Sequence, residues 1–286
     1  MEDSMVDSRI DLKNRWVAGI LAFLVPGAGH LYQGRFIKAA IYFVCILGLF
    51  FTGMAMAEWR AVQTPTREAV EDRQLTSLLK YSAQAGVGVA ALYGLVQRER
   101  YYDAENVPIR EITEPFSAPF EGTAEIRTAK GTEQGHVEGT LSLEPAEEQF
   151  GKRSITGTFE GQFEGKPVEY QLSRNVDLAK PIDADPERQV AAAIVEKVNG
   201  REETIGRMFG TIPRNFLDWY QVPASEHHEQ ELHRRLGKYH ELAMVFTWVA
   251  GLLNILAIWD AVEGPAYGYR EEGTEPGGSP EKPPAA

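Results

Sequence analysis

Residues 24–43 read LVPGAGHLYQGRFIKAAIYF and join two apolar runs, so they decide how the N-terminal part of the chain folds. The residues that can break a regular backbone here are Pro26, Gly27, Gly29 and Gly34. Proline lacks an N–H and bends or ends a helix. Glycine allows positive φ and a close approach of two backbones. The composition of this stretch therefore predicts a tight turn between two helices.

The lengths of the flanking runs indicate a lipid environment. Residues 16–31 and residues 37–57 are almost uncharged, and a helix needs about 20 apolar residues, in a range of about 17–25, to cross a bilayer. The second run is long enough alone. The first is short, but Trp16 and Tyr32 would place aromatic rings at its two interfaces. We predict a transmembrane helical hairpin over residues 15–57, which follows an N-terminal tail at residues 1–14.

The same turn has an alternative interpretation as a glycine loop that holds a phosphate. That loop requires a preceding strand and a pattern such as GxGxxG or GxxxxGK[ST], and the sequence has neither. In lipid, by contrast, backbone groups freed at the turn need partners, which His30, Tyr32 and Gln33 can supply. Arg35 and Lys38 can extend to the headgroups. We therefore expect Trp16, Arg35 and Lys38 to act as interfacial anchors.

The run Pro26-Gly27-Ala28-Gly29-His30-Leu31-Tyr32-Gln33-Gly34 resembles the G-x-x-H-x-Y-x-G turn of the "TM-two" family, a two-helix membrane domain. The resemblance covers only the hairpin, and it implies a topology without an activity. Leu31 precedes the tyrosine where the family usually has a bulkier aromatic pair. The rest of the chain resembles an uncharacterised bacterial family that carries this hairpin at its front. The segments that carry this second resemblance are Ile212-Pro213-Arg214, Asp218-Trp219-Tyr220 and residues 250–261.

Two further segments are candidates for membrane helices. Residues 242–261 are apolar over a spanning length, and Ser225 can cap a polar helix that leads into them, so we predict a helix over residues 225–262. Residues 75–98 contain three glycines and several alanines, which favours a closely packed third span after a loop at residues 58–74. An amphipathic helix lying in the interface is the alternative for residues 75–98.

The polar middle of the chain, residues 101–224, shows a period of two that predicts β-strands. Apolar side chains alternate with polar ones around Ile126, Leu141, Phe159 and Tyr170, and glycine-containing breaks separate these runs. Asn199-Gly200 is a strong hairpin signal. Four to six short antiparallel strands would close or cover their edges, so a small barrel or a sandwich is expected.

Three aromatic residues, Phe216, Trp219 and Tyr220, cluster between two prolines after the predicted strands. They can fill the core of the β-domain. Alternatively, they can anchor this domain on the bilayer, because amphipathic rings favour the interface. The sequence leaves these two interpretations open.

The segment EHHEQELH, residues 226–233, is the only stretch that suggests metal ligands. On a helix Glu229 and His233 share one face, but His228 does not align with them, and the HExxH pattern is absent. A solvated helix face with Glu–Arg and Glu–His pairs is the favoured interpretation. The weak metal candidates are His228, Glu229 and His233.

Asn254 and Asp260 are polar residues in the last predicted span. Such residues either connect helices or serve a function such as ion transfer. With four spans, Asp260 would lie on the same side of the membrane as Arg15, and His30 would lie on the other side. We therefore expect Asp260 to pair with Arg15 and Asn254 to form a hydrogen bond to another helix, so that both residues connect helices. A transport path that uses His30, Asn254 and Asp260 is the alternative.

Composition excludes several functional classes. The net charge of −12 is unsuited to phosphate backbones, so no nucleic-acid partner is expected. The single cysteine, Cys45, excludes an internal disulfide framework. The sequence contains no G-x-S-x-G, Walker or kinase motif, and we predict neither catalytic residues nor a cofactor.

The predicted fold class is an α-helical membrane protein with three or four transmembrane helices and an inserted antiparallel β-rich soluble domain. An acidic tail rich in proline and glycine, residues 263–286, should be disordered. The expected function is a non-enzymatic scaffold or interaction protein in the bacterial inner membrane, whose partners are the bilayer and other membrane proteins or a second copy. A transporter component and a membrane-bound metal-dependent hydrolase are the alternatives.

Overall fold

The structure, a computed structural model, describes residues 13–128, 131–149, 152–198 and 201–263. Two segments lie almost entirely outside the described residues: the predicted N-terminal tail, residues 1–14, and the tail predicted to be disordered, residues 263–286. The predicted turn Asn199-Gly200 also lies outside them. The helices are α1 (Arg15–Leu24), α2 (Ala28–Tyr32), α3 (Phe36–Met56), α4 (Arg67–Glu71), α5 (Leu75–Ala85), α6 (Val89–Tyr101), α7 (Phe216–Trp219), α8 (Glu226–Leu236) and α9 (Lys238–Glu263). The strands are β1 (Phe116–Thr128), β2 (Gly131–Gln149), β3 (Lys152–Phe163), β4 (Lys166–Leu178), β5 (Glu187–Val198) and β6 (Arg201–Pro213).

The six strands form a closed antiparallel barrel in the order β1-β2-β3-β4-β5-β6, with β6 paired to β1. The period of two directs one face of each strand inward, where fully buried Leu141, Ile155, Phe159, Ile194 and Met208 form the core. Closure leaves no free sheet edge to pair with another chain. The β-rich character predicted for the middle of the chain is confirmed, as a barrel.

Facing glycines allow the barrel to curve tightly. Gly139 pairs with Gly161, and a Cβ on either residue would lie within 2.3 Å of a carbonyl oxygen on the neighbouring strand. The ring of Phe159 packs beside Gly161, and that of Phe120 packs beside Gly210. Aromatic rings therefore cover the glycines at which the strands bend.

Two helices, α3 and α9, are long and apolar enough to cross a membrane by length and composition. They pack antiparallel, since Lys38 lies beside Asp260 at one end and Gly53 lies against Ala243 at the other. The predicted fold class, an α-helical membrane protein with three or four transmembrane helices, is wrong. The main body is the barrel, and only these two of the described helices meet the spanning criterion.

The first apolar run does not form one helix because its backbone turns back at Gly27. Helix α1 ends at Leu24, Gly27 has φ +82°, and α2 begins at the next residue. A Cβ at Gly27 would lie 2.4 Å from the Ala39 carbonyl oxygen, so only glycine fits this close approach to α3. Helix α1 is about 15 Å long at about 1.5 Å per residue, half of the apolar thickness of a bilayer.

Residues 75–98 are interrupted in the same way. Helix α5 ends at Ala85, Gly88 has φ +88°, and α6 then leads back towards the barrel. A Cβ at Gly88 would lie 2.0 Å from the Phe23 carbonyl oxygen. The turn between α5 and α6 therefore meets the end of α1, and the predicted third span is two short helices.

Candidate functional site

The turn quoted from the sequence builds a polar cluster against the end of α9. Nε2 of the fully buried His30 lies 2.8 Å from Oδ2 of Asp260. Lys38 donates to both carboxylate oxygens of Asp260 at 3.1 and 3.2 Å, and the Tyr42 hydroxyl lies 3.4 Å from the same carboxylate. The rings of His30 and Tyr42 also contact, with centroids 4.7 Å apart. One carboxylate therefore joins α2, α3 and α9.

Glycines bring the turn into this position. A Cβ at Gly29 would lie 2.2 Å from the Ala18 carbonyl oxygen, so α2 can pack against α1 only with glycine here. Gly34 has φ +82°, which starts the path into α3. Gln33 donates from Nε2 to the Ala261 carbonyl at 2.6 Å, and the ring of Tyr32 lies beneath the Lys13 ammonium, 5.2 Å away. Among the predicted turn residues, Gly27, Gly29, His30 and Tyr32 thus make close contacts, whereas the role of Gly34 is its positive φ, since no atom lies within 4 Å of a Cβ there.

The expected pairing of Asp260 with Arg15 is wrong. Asp260 binds His30 and Lys38, while the Arg15 guanidinium lies 5.4 Å from the Trp16 ring. The four-span arrangement placed His30 and Asp260 on opposite sides of the membrane. Because α1 is short and the chain turns back through α2, both residues lie at the same end of the helical bundle.

Asn254 lies where the two interrupted segments meet. Its Nδ2 donates to the Ala22 carbonyl at 3.1 Å and to the Gly86 carbonyl at 2.8 Å. Both carbonyls belong to helix ends, which leave backbone oxygens without partners inside the helix. Asn254 is fully buried, so it links α1, α5 and α9 at the centre of the helical bundle.

The three predicted anchors at this end have different environments. Trp16 is 65% exposed. Lys38 is half exposed, although its ammonium binds Asp260. Arg35 precedes α3, and both terminal nitrogens of its guanidinium are buried without a hydrogen-bond partner among the described residues. The side chain of Trp16 is therefore exposed, that of Lys38 is partly exposed but held by Asp260, and that of Arg35 points into the protein.

The aromatic residues after β6 pack on the helices and not in the barrel core. Phe216 stacks on Tyr220 with centroids 4.7 Å apart and contacts Trp59, which follows α3, at 6.0 Å. Tyr220 is buried in the helical core, with its ring near Tyr93. The side chain of Phe216 stays 45% exposed. The cluster thus joins the base of the barrel to the helical bundle.

Two buried glutamines, which the sequence analysis did not identify, bond this junction and the interior of the helical bundle. Gln97 donates to the carbonyls of Leu217 and Tyr220, and Gln84 donates to the Ala61 carbonyl and the Thr247 hydroxyl. The available signal was their position inside residues 75–98, where a lipid-facing helix would disfavour amides. A salt bridge of 2.9 Å between Arg100 and Asp218 lies beside Gln97, whose Oε1 accepts from Arg100.

Arg214, part of the Ile-Pro-Arg segment, organises the loop between β4 and β5. Its guanidinium donates to the carbonyls of Lys180, Pro181, Asp185 and Glu187 at 2.8–2.9 Å. Burial lowers the pKa of Arg214, and the nearby carboxylates of Asp183, Asp185 and Asp218 oppose that shift. The arrangement satisfies backbone oxygens and offers no free group for catalysis.

The metal candidates are not brought together into a site. In the part of the chain that the structure describes, no group of three or more His, Cys, Asp or Glu side chains is arranged to hold a metal ion. Ser225 caps α8 and lies 2.8 Å from Nδ1 of His228. His233 instead faces α9, where its Nε2 lies 3.8 Å from a carboxylate oxygen of Glu241.

His233 and Glu229 line a groove of about 620 Å³ between α5, α8 and α9. We call it the α8–α9 groove. Its lining residues are Gln63, Lys80, Glu229, Gln230, His233, His240, Glu241, Met244, Val245 and Trp248.

Comparison with protein families identifies the family to which the chain belongs. The model of a family of unknown function (DUF6677) matches residues 17–272. Neither the curated proteins nor the solved structures give a significant match. The predicted resemblance to an uncharacterised family is confirmed, whereas the resemblance to the "TM-two" domain receives no support from this match.

Proposed function

We infer the function from the geometry of this chain alone, because the chain belongs to the family of unknown function (DUF6677) and no activity carries over from it. We propose a non-enzymatic membrane scaffold. Helices α3 and α9 cross the bilayer, α1–α2 and α5–α6 enter it from opposite sides, and the barrel lies at one surface. The partners of the scaffold are the lipid bilayer and other membrane proteins or a second copy of the chain.

The observation that carries this proposal is the apolar surface of the helical bundle. Large apolar side chains point away from the protein along the length of both long helices. They include Phe36, Ile37, Ile41 and Val44 on α3 and Leu252, Leu256 and Trp259 on α9. Ile37 is 78% exposed and Leu256 is 61% exposed. Soluble monomers rarely expose apolar patches larger than a few hundred Å², so a bilayer is the natural solvent for this surface.

The barrel supplies the interaction surface of the scaffold. Its interior is filled by side chains, so partners would meet its outer face. Acidic residues outnumber basic ones between positions 116 and 213, and Glu121 faces Glu138 across the β1–β2 ladder. Like charges in such a pair are unfavourable. A basic partner surface would relieve that repulsion.

The distribution of positive charge favours the barrel side as the cytoplasmic side. Lys and Arg near the helices at the barrel end are Arg60, Arg67, Arg73, Lys80, Arg98, Arg100, Arg234, Arg235 and Lys238. At the other end, among the residues that the structure describes, they are Lys13, Arg15, Arg35 and Lys38. Positive residues in short segments mark the cytoplasmic side. The resemblance drawn from the sequence implies a bacterial protein, and on that basis the membrane we propose is the inner membrane.

The bonding of Asn254 and Asp260 favours a scaffold over a transporter component. Both side chains connect helices through several hydrogen bonds. A residue that passes ions must exchange its partners, and these partners also hold the helical bundle together.

The single cysteine provides the test. Cys45 is exposed on the outer face of α3, near the middle of the helix. In intact membranes a charged maleimide should leave Cys45 unlabelled until the sample is denatured, because the reagent does not enter lipid and the thiolate does not form there. In the Cys45→Ala background, Glu125→Cys on the outside of the barrel should label in vesicles that expose the cytoplasmic side. Rapid labelling of Cys45 in the native protein would exclude the proposed membrane crossing.

A further inference from the structure

An exposed apolar stripe on α3 continues past the end of the helix onto α7. Ile37, Val44 and Phe51 are seven positions apart, so they lie on one face of α3, and all three side chains are exposed. The Trp59 ring lies 6.4 Å from that of Phe51, and the Phe216 ring lies 6.0 Å from that of Trp59, measured between centroids. The apolar surface of α3 therefore extends to the base of the barrel.

The turn after α3 holds Trp59 in this position. Glu58 and Trp59 have φ of +51° and +65°, in the left-handed region that residues with a side chain rarely adopt. The Trp59 N–H donates to the Met54 carbonyl at 2.6 Å, at the end of the helix. The indole stays exposed between Phe51 and Phe216. An unfavourable backbone conformation is thus retained at the residue whose ring bridges α3 and α7.

Helix α7 is fixed by its backbone, while two of its apolar side chains face outward. The Leu217 carbonyl accepts from Gln97 and from Arg100, each at 2.8 Å, and Arg100 also binds Asp218. The side chains of Phe216 and Leu217 nevertheless remain exposed. Helix α6 therefore presents these two side chains in a fixed position.

The length of α3 sets the level of the bilayer at which the stripe ends. Helix α3 has 21 residues and is therefore about 31 Å long, close to the hydrocarbon thickness of about 30 Å. With α3 crossing the bilayer as proposed, Trp59, three positions after the last helical residue Met56, lies at the boundary between acyl chains and headgroups. Aromatic rings favour this boundary.

Polar groups lie beside the apolar side chains of α7. Phe216 and Leu217 line one concave surface together with Arg100, Asn215 and Asp218. The side chains of Arg100 and Asp218 are both partly exposed. Charged groups are costly in the hydrocarbon centre, whereas the headgroup layer offers water and apolar contacts side by side. The surroundings of α7 therefore fit the boundary layer.

We propose that α7 is an interfacial anchor whose partner is the lipid of the barrel-side leaflet. Phe216, Leu217 and the indole of Trp59 lie between the headgroups and the acyl chains and hold the base of the barrel against the bilayer. Tyr220, which the sequence also suggested as an anchor, is buried and supports Phe216 from the protein side. This inference rests on the proposed membrane crossing of α3.

The test compares two exposed apolar positions of the full-length protein. Leu217 is 56% exposed on α7, and Phe209 is 51% exposed on the wall of the barrel. In the Cys45→Ala background, Leu217→Cys and Phe209→Cys each carry the same small fluorescent label and are reconstituted in phosphatidylcholine vesicles. One set of vesicles contains lipid brominated near the headgroup end of the acyl chains, and another contains lipid brominated at the chain terminus.

Bromine near the headgroups should quench the label at Leu217→Cys at least twofold more than the label at Phe209→Cys. It should also quench the label at Leu217→Cys more than bromine at the chain terminus does. Because both substitutions replace exposed side chains, both variants should melt at the temperature of the Cys45→Ala parent.

Three results would overturn the anchor. Equal quenching at the two positions would show that α7 does not contact lipid. Stronger quenching by bromine at the chain terminus would place α7 in the hydrocarbon and not at the boundary. A blue-shifted emission from Leu217→Cys without quenching by either lipid would identify a protein neighbour in place of the bilayer.

The maleimide test on the native Cys45 separates this inference from the proposed function. Protection of Cys45 together with equal quenching at positions 209 and 217 would leave the membrane crossing standing and exclude the anchor. Rapid labelling of Cys45 would exclude the membrane crossing, and the anchor with it.

Discussion

Nε2 of His30 lies 2.8 Å from Oδ2 of Asp260, although 230 positions separate the two residues in the sequence. The contact brings the N-terminal turn to the last helix and gives the buried imidazole a charged acceptor. Lys38 and Tyr42 share that carboxylate. Stability of the helical bundle should therefore depend on Asp260 more than on any other residue near the end of α9.

Replacing Asp260 by alanine should lower the free energy of unfolding by about 2–3 kcal/mol, because hydrogen bonds to a charged group are lost and the Lys38 ammonium loses its partner. Thermal unfolding in detergent, followed by intrinsic fluorescence, measures the change. Glu263→Ala, an exposed carboxylate at the end of the same helix, is the control and should be nearly neutral. Equal effects of the two substitutions would contradict the role assigned to Asp260.

Asn254→Leu should destabilise the helical bundle by about 2–4 kcal/mol. It removes both hydrogen bonds of the side-chain amide and leaves the Ala22 and Gly86 carbonyls buried without these donors. Chemical unfolding in detergent tests this expectation. Leu256→Ala, on the exposed face of α9, is the control. An Asn254→Leu protein of unchanged stability would show that the two interrupted segments do not depend on this amide.

Gly251→Ala should disrupt the packing of α5 on α9, because the added Cβ would lie 1.7 Å from the Ala83 carbonyl oxygen. Overpacking of this kind costs about 1–3 kcal/mol or more. Gly48→Ala on α3 is the matched control, since no atom lies within 4 Å of the added Cβ. There the gain in helix propensity should stabilise the protein by up to about 1 kcal/mol. We expect the melting temperature to fall in Gly251→Ala and to rise in Gly48→Ala. A loss of stability in both variants would argue against the packing described.

Arg214→Lys should weaken the base of the barrel, since an ammonium cannot reproduce the planar fork that donates to four carbonyls. We expect a loss of about 2–3 kcal/mol, with faster amide exchange in the loop between β4 and β5. Arg207→Lys, at an exposed position of β6, keeps the same change of side chain without the carbonyl contacts. Hydrogen-exchange mass spectrometry distinguishes the two variants. Similar exchange in both would show that the Arg214 guanidinium does not hold the loop between β4 and β5.

By itself the sequence determined the features that depend on local patterns. The period of two between Phe120 and Arg174 required strands with one apolar face, because successive side chains of a strand point to opposite sides. The length and composition of α3 and α9 marked them as candidate spans. The turn at residues 26–34 was identified because proline and glycine have backbone preferences that no neighbour can change.

Only the tertiary structure decided which pieces meet. Only two candidate spans remain because the backbone reverses direction at Gly27 and at Gly88, where it approaches other backbone segments. A pattern of apolar residues along the sequence does not reveal such contacts. The partners of Asp260 and Asn254 depended on that reversal. Hydrogen bonds between distant residues are set by how helices pack, and the spacing of residues along one chain carries no information about the distance between two packed helices.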